Sequence, residues 1–160
     1  MNVNIICVGK LKEKYWRDAC AEYLKRLGGF GRAMVIELTE ARLPSLPSQG
    51  EIRAALSYEA KQMMPYISEK GALNIAMCIE GKQLSSEELS KRLSDAGVFG
   101  LGTVNFYIGS SFGLLEEVKS ECALKLSISR MTLPHQLCRV VLLEQIYRAF
   151  SISAGTKYHK

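Results

Sequence analysis

A chain of 160 residues, 48% of them hydrophobic and 23% charged, has the size and composition of one folded domain, which we expect to span residues 1–160. This composition excludes an intrinsically disordered chain. The formal charge of +5 permits an anionic partner but does not require one, because many small proteins are mildly basic.

Apolar runs alternate with stretches of helical periodicity along the chain. The run at the N-terminus, closed by Gly9, is typical of a strand buried on both faces. Similar runs complete the set of strands, which are predicted over residues 3–8, 34–38, 73–79, 104–108 and 124–128. We therefore expect an α/β fold with a mostly parallel sheet of about five strands and helices on both faces.

Apolar residues at steps of three and four predict the helices that connect these strands. Gly28 and Gly29 end the first helix, and Ser85 with Glu88 forms a capping box for the third. Pro65 lies in the second helix and should kink or shorten it. The predicted helices cover residues 15–27, 52–67, 85–93 and 115–122, and a loop marked by Pro44, Pro47 and Gly50 precedes the second.

The last third of the chain carries the most apolar helix. Pro134 suits its first turn, and Thr132 is the better capping residue before it. Apolar side chains between residues 137 and 150 cover nearly the whole circumference, which predicts burial on all sides. The segment of about 15 residues is too short for a bilayer, which takes roughly 20. We therefore expect a second copy of the chain to cover one face of this helix, which makes a homodimer.

The cysteines and histidines do not form a metal site in this sequence. The cysteines are five, an odd number, and no Cys-x-x-Cys occurs, which argues against a zinc site or a disulfide framework. Two histidines cannot make a three-ligand zinc site without carboxylate help. The free thiols fit a reducing cytosol, and the chain opens with no secretory signal. We expect a cytoplasmic protein with no metal and no membrane association.

Ligands of open α/β sheets bind beyond the carboxyl ends of the strands. Three predicted strand ends offer loop backbone groups for a polar ligand, at residues 77–81, 109–113 and 128–133. Gly109 and Gly113 would permit close approach and positive φ, although a lone Gly-x-x-x-Gly is more often a plain strand-to-helix turn. The chain has no Gly-x-Gly-x-x-Gly fingerprint and no phosphate loop, which disfavours a dinucleotide site.

Five polar residues of the C-terminal third have ordinary explanations as well as functional ones. His135 lies in the first helical turn, where a local hydrogen bond would account for it, and His159 lies in a polar tail that frays by default. Glu144 and Arg148 lie four residues apart and are predicted to pair. Arg139 interrupts an apolar helix, so its charge needs a partner or a route to water.

Residues 129–136 (SRMTLPHQ), residues 139–150 (RVVLLEQIYRAF) and the terminal Tyr158-His159 resemble the bacterial large-subunit ribosomal RNA methyltransferase H family. That family belongs to the SPOUT, or α/β-knot, class of methyltransferases. The similarity runs the length of the chain and includes residues 8–16 and the loop at Ile108-Gly109. The resemblance implies a C-terminal trefoil knot, a homodimer and an S-adenosylmethionine cofactor. It places the cofactor contacts on Met77, Gly109, Ile128, Ser129, Arg130, Met131, Thr132 and Leu133.

The reaction that the resemblance implies is methylation of N3 of a pseudouridine in 23S ribosomal RNA, on the assembled ribosome and without a metal. Tyr158 would stack on a base, and His159 would accept or orient the N3 proton near neutral pH, with His135 as the competing base. Contacts to phosphate would come from Lys157, Lys160, Arg130 and, if it is exposed, Arg139.

One position departs from the family pattern, because the family usually has Gly-Gly where this chain has Gly109-Ser110. If the second position required positive φ, Ser110 would add strain of about 1 kcal/mol or more. Two other functions stay open, a non-catalytic ribosome-associated protein of the same fold and a different nucleotide-binding α/β enzyme. Titration with S-adenosylhomocysteine separates these alternatives from the methyltransferase.

Overall fold

The computed structural model describes residues 1–159, and these residues form a single parallel sheet flanked by helices. The strands are β1 (Asn2–Val8), β2 (Ala33–Leu38), β3 (Ala72–Gln83), β4 (Thr103–Ile108) and β5 (Leu124–Ser127), in the order β2-β1-β4-β3-β5. The helices are α1 (Lys14–Leu27), α2 (Gln49–Ile67), α3 (Ser86–Val98), α4 (Glu116–Ser120) and α5 (His135–Ser153). All four strand pairings are parallel, so the predicted five-stranded α/β architecture is confirmed.

Helices cover both faces of the sheet, as predicted. Alternate side chains of a strand point to opposite faces, and β1 is buried on both. Val3, Ile5 and Cys7 join a core with the apolar sides of α1, α3 and α5. Ile6 and Val8 join a second core with α2 and α4. This division leaves the strand ends, and not the sheet faces, open to a ligand.

Strand β3 extends to Gln83, beyond the predicted end at residue 79. Pairing with β5 explains the extension, since β5 contacts β3 at Met77 and again at Lys82, with a register shift between them. Gly81 lies in this irregular part of the strand. A Cβ at position 81 would lie 2.7 Å from the backbone of residues 125 and 126, so only glycine permits the close approach.

Several predicted helix boundaries differ from the structure, and three of them have a local explanation. Helix α2 begins at Gln49 behind a Ser48–Glu51 capping box and runs past Pro65 to Ile67, so of the two predicted effects of Pro65, a kink or a shortening, the shortening does not occur. Helix α3 has the predicted capping box but continues to Val98. In α5 the extended residue Pro134 occupies the N-cap position itself, with no side-chain cap, so Thr132 is not the capping residue.

Helix α5 packs between α1 and α3 on the first core. Its inward side is buried, and Phe30 stacks on Phe150 with ring centroids 5.9 Å apart. Leu137 and Val141 on the opposite side are only half-buried. The chain therefore buries most of this helix by itself and leaves a narrow apolar strip outside.

The described residues contain neither a membrane-spanning helix nor a metal-binding cluster. No helix within residues 1–159 is long and apolar enough to cross a bilayer. The same residues hold no group of three His, Cys, Asp or Glu side chains that could bind a metal ion. All five cysteines are free, and burial raises the pKa of both Cys7 and Cys122 to about 12, so these thiols stay protonated and unreactive at neutral pH.

Candidate active site at the carboxyl edge of the sheet

The second half of β3 and the segments that follow β4 and β5 enclose a cavity of about 760 Å³, within the range of roughly 300 to 1,000 Å³ typical of small-ligand pockets. The three segments predicted to bind a ligand line it, together with the first turn of α5, although residues 77–81 belong to strand β3 and not to a loop. Arg130 is exposed and is not among the lining residues. The other residues that the resemblance selected all line the cavity: Met77, Gly109, Ile128, Ser129, Met131, Thr132 and Leu133.

The turn after β4 forms one wall of the cavity. A Cβ on Gly109 would overlap the carbonyl group of Gly113, and the Gly113 N–H donates to the Ser110 carbonyl at 2.9 Å. Gly113 has the positive φ of this turn, +80°, whereas none of the described non-glycine residues has positive φ. The expected strain at Ser110 is therefore absent, because the left-handed residue lies three positions later.

Ser110 is hydrogen-bonded to the buried carboxylate of Glu59, a residue that the sequence analysis did not select. Its Oγ donates to Glu59 Oε2 at 2.8 Å, and the Ala41 N–H donates to Glu59 Oε1 at 3.2 Å. Glu59 is 4% exposed, and burial is the largest cause of its raised pKa. A sequence signal existed, because Glu59 lies at helical spacing between the buried Ala55 and Met63.

The loop after β5 forms the facing wall. Ser127 Oγ donates to the Ser129 carbonyl at 2.8 Å, and the Met131 N–H donates to Ser129 Oγ at 3.0 Å. These bonds hold the loop in a compact turn beside the cavity. Two large apolar side chains on these walls stay open to solvent, Phe112 at 46% and Met131 at 76% exposure.

Arg139 is completely buried beneath the cavity and joins α5 to the first two strands. Its Nη2 donates to the carbonyls of Val8 and Gly9, both at 2.9 Å, and its Nη1 donates to Glu37 Oε1 at 3.0 Å. The prediction of a partner for this charge is confirmed. The phosphate contact was expected only if Arg139 were exposed, and this condition is not met, because the side chain is 0% exposed.

His135 is the first residue of α5 and lines the cavity. Its Nδ1 lies 3.3 Å from Arg139 Nη2. Burial, and then the charge of Arg139, lowers the pKa of His135, while Glu40 and Glu13 act in the opposite direction. Burial and the charge of Arg139 therefore both favour the neutral imidazole.

The C-terminal tail packs on its own chain. The Tyr158 ring meets Tyr147 edge-on at 4.7 Å between centroids, and its hydroxyl donates to Glu144 Oε1 at 3.1 Å. Arg148 Nη2 bonds the same oxygen at 2.6 Å, which confirms the predicted pairing of Glu144 with Arg148. The guanidinium also lies 4.7 Å from the Tyr158 ring centre. The prediction of a frayed tail is therefore wrong for the residues up to His159, which are packed.

His159 closes this tail against α3. Its Nε2 lies 2.8 Å from Glu87 Oε1, and because a carboxylate accepts, Nε2 is the donor. Neither Tyr158 nor His159 lines the cavity of its own chain. Lys157 is exposed beside them, whereas Lys160 lies outside the described residues. The structure thus brings His135 together with the cofactor segments but not the terminal Tyr-His pair.

A family model described as "Predicted SPOUT methyltransferase" matches residues 1–159. The chain belongs to the SPOUT methyltransferase family. Proteins named ribosomal RNA large subunit methyltransferase H are 48% identical in Streptococcus suis and 46% identical in Ligilactobacillus salivarius, each over 160 residues covering 100% of both chains. A solved structure, a probable methylase family protein from Haemophilus influenzae Rd KW20, matches with a TM-score of 0.57. It is 13% identical and covers 99% of this chain and 70% of its own, a likeness of fold.

Family membership makes the chain an enzyme that transfers a methyl group. A SPOUT methyltransferase needs a methyl donor, and the cavity at the carboxyl edge has the size of a small-ligand pocket. Cys138 also lines this cavity, but burial raises the pKa of its thiol to about 11, so it is not a nucleophile at neutral pH.

Proposed function

We propose that this SPOUT methyltransferase transfers the methyl group of S-adenosylmethionine to N3 of a pseudouridine in 23S ribosomal RNA, on the assembled ribosome in the cytoplasm. One observation carries the cofactor assignment. The cavity beside β3 and the ends of β4 and β5 is lined by all but one of the positions that the resemblance selects for the cofactor. The relatives named ribosomal RNA large subunit methyltransferase H, matched over the whole chain, carry the assignment of the substrate.

The residues present fit such a cofactor. Apolar side chains, among them Met77, Ile128 and Leu133, suit an adenine ring, and the loop carbonyl and N–H groups between them suit its polar edge and the ribose. The group supplies an electrophilic methyl on a sulfonium when bound. The chain's contribution is to hold the acceptor nitrogen in line with that methyl and to exclude water.

The acceptor nitrogen must lose its proton. Transfer forms the N3–C bond, breaks the C–S bond, and moves the N3 proton to a base or to water. A neutral imide is a poor nucleophile, so the reaction needs a proton acceptor or a group that stabilises the imide anion. We assign Tyr158 to stacking on the base and His159 to accepting or orienting the N3 proton. Both residues would act in an active site formed by the C-terminal tail and the cofactor cavity.

In our proposal, dimerisation with a second copy of the chain brings the C-terminal tail to a cofactor cavity. The half-buried Leu137 and Val141 on α5 and the exposed Phe112 and Met131 at the cavity mouth form an apolar surface that a homodimer would bury. The tail of one protomer then reaches the cavity of its partner. The trefoil knot that the resemblance implies would thread the same C-terminal third through the loops of the cavity.

The test joins binding to product analysis. Calorimetric titration should show that S-adenosylhomocysteine binds the purified chain, and mass spectrometry should show one missing methyl on 23S RNA from cells that lack it. Binding of nucleotides in place of S-adenosylhomocysteine would favour the different nucleotide-binding enzyme. No binding of either would favour the non-catalytic ribosome-associated protein.

A further inference from the structure

His135 and Arg139 lie one helical turn apart at the start of α5, and their contact restricts the protonation of His135. A guanidinium carries only N–H donors and no acceptor. The Arg139 Nη2 atom lies 3.3 Å from His135 Nδ1. A hydrogen on Nδ1 would point at another donor, so the favoured neutral form has a bare Nδ1 and its hydrogen on Nε2.

Arg139 cannot turn away to relieve this restriction. Its Nη2 is fixed by the carbonyls of Val8 and Gly9, and its Nη1 by Glu37 Oε1. Glu37 Oε1 is itself fixed by the Leu11 N–H, which donates to it at 3.0 Å. The side chain is 0% exposed, so no water competes for these bonds. The ends of β1 and β2 thus hold the guanidinium against the imidazole.

The other imidazole nitrogen is free for a ligand. His135 Nε2 has no hydrogen-bond partner among residues 1–159, and the half-buried ring forms part of the cavity wall. The charged groups that act on the ring are Arg139 from α5, Glu40 from the loop after β2, and Glu13 from the loop after β1. No carboxylate accepts from Nε2 within the described chain.

We propose that His135 acts as a neutral hydrogen-bond donor through Nε2 to an oxygen that carries negative charge in the cavity, and that Arg139 and Glu37 position it for this role. This rests on the proposed function. Two oxygens have the required chemistry, a carbonyl oxygen of the uracil-type ring after loss of the N3 proton, and the carboxylate of the cofactor. His135 is then not the proton acceptor, because its one basic nitrogen faces a cation.

The protonation state is measured without any turnover. The chain has only two histidines, so His159→Gln assigns the imidazole signals in a two-dimensional ¹H–¹⁵N spectrum of the full-length protein. We expect His135 as the Nε2–H form at pH 7, with a pKa below that of a free histidine. An Nδ1–H form or a charged ring at pH 7 would overturn the proposal.

Two substitutions separate the nitrogens in the methyltransferase. The amide nitrogen of His135→Gln approximates Nε2, whereas that of His135→Asn approximates Nδ1. We expect His135→Asn to lose about 100-fold in methyl transfer, the scale of one lost donor to a developing anion, and His135→Gln to lose no more than about tenfold. Equal losses in both variants would refute the donor role, as would a rise in rate with pH that His135→Gln abolishes.

The same variants identify the acceptor. If His135→Asn lowers kcat and leaves S-adenosylhomocysteine affinity within threefold, the acceptor is on the RNA base. If the affinity falls in parallel with kcat/KM, the acceptor is the cofactor carboxylate. Wild-type protein that methylates no ribosomal RNA would remove the proposed function and leave the spectroscopic result standing, so the two failures are distinguishable.

Discussion

At the scale of single residues, buried charges hold the loops around the cavity. Arg139 ties α5 to the ends of β1 and β2, and Glu59 ties the chain after β2 to the turn after β4. Both carboxylate oxygens of Glu59 and both terminal nitrogens of Arg139 are bonded, whereas Arg139 Nε has no hydrogen-bond partner among the described residues. An unsatisfied buried polar atom costs about 1 to 3 kcal/mol, so the bonds that are formed matter for stability. The cavity walls therefore depend on residues that do not touch the ligand.

Glu59 gives a pH-dependent prediction. Its folded-state pKa is raised, so its contribution to stability is fully present below the unfolded pKa, near 4.5, and is lost as pH rises through the folded-state value. Glu59→Gln keeps acceptor and donor atoms for Ala41 and Ser110 but does not titrate. Urea unfolding at pH 5 and pH 8 should show the variant gaining stability relative to wild type at the higher pH.

Glu69→Gln serves as the control for loss of one carboxylate, because Glu69 is exposed just beyond the same helix. A Glu59→Gln protein whose stability relative to wild type is the same at both pH values would contradict the assignment.

Sequence reasoning identified some of these residues and missed others for a physical reason. Arg139 was recognised as a charge needing a partner because helical spacing is a local property. Its partners Val8 and Gly9 are some 130 positions away, and only the assembled sheet brings them together. Glu59 was missed because a single acidic residue on an amphipathic helix is usually solvated, and its burial depends on the distant Ser110.

At the scale of elements, the turn of residues 109–113 decides the shape of one cavity wall. Its two glycines have different reasons to be glycine. Gly109 leaves no space for a Cβ beside the Gly113 carbonyl, whereas Gly113 has open space but a φ of +80°. The first is a steric requirement of the wall and the second a backbone preference.

This difference predicts unequal effects of the same substitution. Gly109→Ala must open the turn, so S-adenosylhomocysteine affinity should fall at least tenfold, or about 1.4 kcal/mol. Gly113→Ala is the matched control, and it should cost stability of about 1 to 2 kcal/mol with a smaller effect on affinity. Calorimetric titration of both folded variants gives the comparison. Equal affinities for Gly109→Ala and wild type would show that the cofactor does not use this wall.

The tail gives a second prediction at this scale. A chain ending after Thr156 loses the contacts of Tyr158 and His159 with α5 and α3. We expect unchanged dimerisation and near-normal cofactor binding, with methyl transfer to ribosomes reduced about 100-fold or more, the scale of a lost acid–base or positioning group. His159→Ala alone should show part of the loss. A truncated protein that methylates at the full-length rate would make the tail a packing element only.

The elements themselves were largely predictable because apolar periodicity is strong in this chain. The sheet, the helix positions and the capping box at Ser85 all follow from local patterns. The ends that were wrong depend on tertiary partners. β3 continues past residue 79 because β5 pairs with it. The tail is packed because the Tyr158 ring contacts Tyr147 and its hydroxyl donates to Glu144.

At the scale of the whole molecule, the outer strip of α5 and the cavity mouth predict a dimer. Val141→Arg should place a charge in that interface, and light scattering at micromolar concentration should show dimeric wild type and a larger monomer fraction in the variant. Val98→Arg is the control, because Val98 is the last residue of α3, is 81% exposed and is not part of the α5 strip. Wild-type protein that scatters as one chain mass would contradict the dimer.

The bonds from Arg139 to Val8 and Gly9 also have a consequence for biosynthesis. They join the first strand to the last helix, and β4 must pair with β1 before the sheet is continuous. Contacts of such sequence separation form slowly, since the loop between them must close first. While the chain is still emerging during translation, the cavity cannot exist until Arg139 has left the exit tunnel.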